Sequence, residues 1–214
     1  MRTVEGASIK EIAARLSVST SSVSHWVRDI QLTDEQICAL EQRGIRGQLI
    51  GAAANRERSR NRRLAWQLEG KRLALDRDPL HVAGCMLFWA EGSRSRNSVC
   101  FTNSDPAMVR FFLDFLVQAI GVQRDTVRIE LNLFADHRGR QEAIEDFWLR
   151  HLELPRRCMR ASTVNVYSRY SKKKRTNRLP YGTCRLAVHS TQVVQHLYGA
   201  IQEYGGFERP EWLD

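Results

Sequence analysis

The sequence predicts an α+β protein: a small helical N-terminal domain, then a domain in which helices cover a mostly antiparallel sheet. Two periodicities carry that expectation. Apolar residues recur at helical spacing over 9–16, 106–120, 141–152 and 191–204. Over 98–102, 127–133, 163–167 and 183–188 the chain reads as strands with one buried face. The expected division is 1–48, a basic linker helix 49–78, and 79–214.

In the first domain Ile9, Ile12, Ala13 and Leu16 make one apolar helical face. Ser17-Val18-Ser19 interrupts it. Ser19 suits the N-cap of a second helix, where its hydroxyl accepts a free N–H of the first turn. In that helix Val23, Trp26 and Val27 are expected to turn inward, leaving Thr20, Ser21, Ser22, Ser24, His25 and Arg28 outside. Two short helices, a three-residue turn and short polar side chains outside resemble the helix-turn-helix of resolvases and small bacterial regulators. The resemblance implies a second helix in the major groove. Ser21, Ser22 and His25 would then read base edges, and Ser19, Thr20 and Arg28 would meet phosphates. An ordinary amphipathic helix pair shares the periodicity. A helix-turn-helix also needs a further helix to close its core, either from Leu32 onward or from a true start upstream of Met1.

Thr33 with Glu35 and Gln36 forms the next capping region, opening a short helix with Ile37, Leu40 and Ile45 inward and loosening at Gly44 and Gly47. A second, Arg-rich helix is expected from about 49 to 75. Arg56, Arg58, Arg60, Arg62 and Arg63 spread around it as a basic collar: a solvated linker, or phosphate contacts beside the helix-turn-helix. Asp76-Arg77-Asp78 ends it, and Pro79 opens the next helix.

Residues 80–93 form a strongly apolar helix ending in Ala90-Glu91-Gly92, with Ala83, Gly84 and Ala90 small enough for another helix to approach. Glu91 reads first as a carboxylate at the exposed end of a core helix. Asp105-Pro106 starts a helix carrying Phe111, Phe112, Phe115 and Leu116 inward; Ile144, Phe147, Trp148 and Leu152 mark another, and Val193, Val194, Leu197 and Ile201 the last. Trp89-Ala90-Glu91-Gly92-Ser93, the stretch Phe101 to Pro106, Phe147-Trp148, and Tyr181-Gly182 with Val188 resemble an actinobacterial and phage-associated group. Its members join a helix-turn-helix to a LAGLIDADG-like domain, the homing-endonuclease fold. The resemblance covers most of 83–200, with a degenerate motif: Trp89 stands where the family has an acidic or polar residue. In that family two such helices pack side by side, and an acidic residue near each tip holds a divalent metal over DNA. It therefore implies an alternative function, a Mg²⁺-dependent DNA endonuclease whose homodimer brings two Glu91 carboxylates together. Some sporulation regulators combine the same domains without cutting DNA.

Between the last two strands Lys172, Lys173, Lys174, Arg175 and Arg178 crowd one connection, with Tyr167, Tyr170 and Tyr181 interleaved. This is a solvated loop or a contact to the DNA backbone. The 214 residues carry a net charge of +9, which favours a polyanionic partner. No apolar run approaches the ~18 residues of a membrane span, and the N-terminus does not read as a signal peptide. Five scattered cysteines without a CxxC pattern fit a reduced cytosolic protein. His81, His137, His151, His189 and His196 are far apart in sequence and read as surface or hydrogen-bonded core residues. The expectation is a sequence-specific binder of double-stranded DNA, a transcriptional regulator or phage-type repressor. It would be cytoplasmic and nucleoid-associated, admit a homodimer, and need no cofactor, membrane or small-molecule ligand.

Overall fold

A computed structural model describes residues 1–166 and 179–213. By their internal contacts they form two units, Met1–Ser59 and Arg60–Asp214. The first holds α1 (Arg2–Glu5), α2 (Ile9–Leu16), α3 (Thr20–Trp26) and the first part of α4 (Asp34–Ala74). Helix α2 starts in a capping box. Ser8 Oγ accepts from the Glu11 amide at 3.2 Å, and Glu11 Oε2 accepts from the Ser8 amide at 2.6 Å. It stops where Ser17 turns left-handed, at φ 53°. Gly6 is left-handed as well, and a Cβ there would lie 2.9 Å from Gln36 Cγ, so both backbone and space call for glycine.

The core of this unit is small: Ala7, Ile12, Ala13 and Val23, with Ile9 and Val27 against them. The start of α4 reaches the α1–α2 segment through hydrogen bonds, while none of its side chains belongs to that core cluster. Gln36 Nε2 donates to the Thr3 carbonyl at 3.0 Å, and Arg43 reaches both the Gly6 carbonyl and Glu11 at 3.3 Å. Five inward assignments are corrected: Trp26 is 58% exposed, Leu16 46%, Ile37 43% and Ile45 58%, and in the second unit Phe111 is 38% exposed. Val23 and Val27, one turn apart, already fill the line facing α2, and so small a core cannot enclose an indole.

A second correction concerns α4. One continuous helix runs where the sequence suggests two with a break at Gly44 and Gly47. Glycine weakens a helix by about 1 kcal/mol, which the neighbouring turns can absorb, and neither of these takes the positive φ of a left-handed helix cap. Every residue from 41 to 62 is exposed, and the boundary between the units falls inside this helix.

In the second unit α5 (Pro79–Glu91), β1 (Val99–Asn103), α6 (Pro106–Gln118), β2 (Arg128–Phe134), α7 (Gln141–Leu152), β3 (Thr163–Asn165), β4 (Thr183–Val188) and α8 (Thr191–Gly205) follow the last turns of α4. The sheet order is β1-β4-β2-β3, antiparallel except between β2 and β3. The fold is α+β, as the periodicities predict. Phe101, Leu186 and Ile129 stand in register on the inner face, beneath a core that includes Phe88, Phe112, Phe115, Leu197 and Ile201. Local caps fix the helix starts: Asp78 accepts from the His81 amide at 2.8 Å, Asp105 from the Ala107 amide at 2.9 Å. Helix α8 lies unusually close to the end of α4. A Cβ on Gly70 would come within 2.0 Å of the His196 carbonyl, and one on Gly199 within 1.9 Å of the Gln67 carbonyl. Gln67, Gln195 and Gln202 satisfy one another along this seam at 2.7 and 3.1 Å. Beside it His81 Nε2 meets His196 Nε2 at 3.1 Å, and His81 Nδ1 meets the Tyr204 hydroxyl at 2.7 Å. Among the described residues no helix is long and apolar enough to cross a membrane.

Candidate nucleic-acid interface

Helix α3 is built by its cap. Ser19 is extended, and its hydroxyl accepts from the Ser22 amide at 3.0 Å. The same oxygen lies 2.8 Å from Ser22 Oγ and 3.1 Å from Ser21 Oγ. Ser19 thus acts as the expected N-cap. Ser22 is half-buried and tied into that cap, which turns it away from the outer face. The outer face is Ser21, Ser24, His25 and Arg28, at steps of three, one and three residues, with Thr20 at its edge, all exposed. His25 and Arg28 have no hydrogen bond or ion pair among the described residues. Ser24, left out of the expected contacts, shares this face; the four-residue step from Thr20 was the signal for it. Exposed Trp26 and Val18 flank the face with apolar surface. Short side chains and two nitrogen-bearing groups without partners among the described residues, on an exposed helix face, can enter a groove and donate to base edges or phosphate oxygens.

The basic residues of α4 divide. Arg56, Arg58, Arg60 and Arg62 are exposed, whereas Arg63 is half-buried and donates to the Leu213 carbonyl, a role inside the second unit. Lys172, Lys173, Lys174, Arg175 and Arg178 lie outside the described residues.

In the second unit the sheet has one polar face, carrying Thr102, Arg128, Glu130, Asn132, Thr183 and Arg185. Arg185 is bound there to Glu130 at 2.7 Å and reaches Cys100 Sγ at 3.3 Å. Its charge is therefore partly neutralised in place.

Glu91 is the exposed last residue of α5. Among the described residues no group of three or more His, Cys, Asp or Glu side chains gathers as a metal site. Each chain would bring one Glu91 carboxylate to a Mg²⁺ ion, whose remaining positions water and phosphate oxygens commonly fill. The close approach expected at Gly84 is used inside the chain. A Cβ there would lie 2.1 Å from the ring of Phe115, so α6 occupies the space that a second α5 would need at that glycine. Ala83 and Ala90 remain exposed.

No protein-family model matches the chain, and neither a curated protein nor a solved structure matches it.

Proposed function

We propose that the chain binds double-stranded DNA at specific sequences and acts as a transcriptional regulator or phage-type repressor in the cytoplasm, on the nucleoid. The observation behind this reading is the outer face of α3, where Ser21, Ser24, His25 and Arg28 stand exposed on a capped helix behind a tight turn. Such a face offers donors and acceptors without bulk, the requirement for a helix lying in the major groove. The net charge of +9 and the exposed Arg56, Arg58, Arg60 and Arg62 would supply the sequence-independent part of the affinity. Regulation by occupancy needs no cofactor.

The test is selection from a random duplex library at moderate salt, run with Mg²⁺ and with EDTA. Enrichment of one motif, bound intact in both, is the expected result. His25→Ala should then cost about 1–3 kcal/mol at a single base position. Binding without an enriched motif would overturn the proposal. Cleavage only with Mg²⁺, lost in Glu91→Gln, would replace it with the endonuclease.

A further inference from the structure

Among the described residues nothing covers the middle of α4, and its sequence is complementary to itself. Glu41, Ile45, Leu49, Ala52 and Arg56 follow at steps of four, four, three and four residues, so they share one side of the helix. Ile45 is 58% exposed and Leu49 65%. Gln36 and Arg43, which bind the α1–α2 segment, lie on the opposite side, so the stripe is not covered within its own unit. Neither Glu41 nor Arg56 has an ion-pair partner among the described residues.

We infer that this stripe is the contact between two copies of the chain, with their α4 helices antiparallel about a twofold axis between Gln48 and Leu49. That axis sets Glu41 against the partner's Arg56 and Arg56 against the partner's Glu41. Ile45 meets the partner's Ala52, and the two Leu49 side chains pack on either side of the axis. A parallel pair would instead oppose Glu41 with Glu41 and Arg56 with Arg56, like charges in both places. Charge order along the helix thus selects both the occupant and its direction. The contact covers few large side chains, so the dimer should dissociate on dilution. The inference does not rest on DNA binding.

Cys38 and Ser59 extend the same stripe, and Cys38 is exposed. The axis places Cys38 opposite the partner's Ser59. Within one helix the two lie roughly 30 Å apart, too far for a disulfide. The full-length Ser59→Cys variant, oxidised gently and run without reductant, should give a covalent dimer. The wild type should not, nor should Cys38→Ser/Ser59→Cys. A wild-type dimer linked through Cys38, or a dimer that survives Cys38→Ser, would mean parallel helices and overturn the inference. A Ser59→Cys variant that stays single-chained would overturn it as well. In sedimentation velocity, Glu41→Arg should raise the dissociation constant roughly tenfold, and Glu41→Arg/Arg56→Glu should restore it. Equal weakening in both variants would count against the charge pairing.

Discussion

Acidification should destabilise the second unit through the His81–His196 pair. His196 is 6% exposed, and burial, followed by the neighbouring His81, lowers its pKa from 6.5 to about 4. The geometry gives the reason. The two Nε2 atoms, 3.1 Å apart, hold one proton between them, and the other His81 nitrogen is engaged by Tyr204. A proton on both nitrogens would set donor against donor. An unfolded chain takes up the proton near pH 6.5, whereas the folded chain resists it until about pH 4. Between those values the unfolded state binds more protons, so stability is full above pH 6.5 and declines as the pH falls. The loss is about 2 kcal/mol by pH 5 and about 3 kcal/mol below pH 4. Burial lowers the His81 pKa too, which acts in the same direction. The assay is urea unfolding followed by circular dichroism from pH 7.5 to 4.5, comparing the wild type with His196→Gln. Glutamine can still hydrogen-bond His81 but does not titrate. Its stability should fall less steeply over that range, by about one proton's slope. Parallel profiles for the two proteins would refute the reasoning.

Three further outcomes are expected. Ser19→Ala removes the cap of α3 and should cost the first unit about 1 kcal/mol in chemical denaturation, with Ser19→Gly costing only a few tenths. Gly199→Ala forces a methyl group against the Gln67 carbonyl and should destabilise the second unit by about 1–3 kcal/mol or more, visible as a lower thermal midpoint. Arg28→Ala should weaken binding to all duplexes alike and reduce the salt slope of log affinity by about 1; a loss confined to one base position would make Arg28 a base reader instead.

Helix and strand positions were legible because their causes are local. Asp105-Pro106, Ser19 and Asp78-Pro79 satisfy amides two or three residues away, and strand alternation follows from the pleat alone. The outer face of α3 was equally readable, since helical spacing places Ser21, His25 and Arg28 together. The exposure of Trp26 was not legible, because spacing says which side a residue takes but not how much core exists to receive it.

The sequence by itself therefore determined the α+β class, the element order of the second unit and the capped α3, all properties of neighbours within a few residues. Only the tertiary structure decided that Gly70 and Gly199 admit α4 and α8 to near backbone contact, that Phe115 fills the space at Gly84, and that the ring nitrogens of His81 and His196 meet at 3.1 Å. Each of these depends on close packing between side chains or backbones far apart in the chain. That packing is set by the shape left when all the elements have docked, and no local period records it.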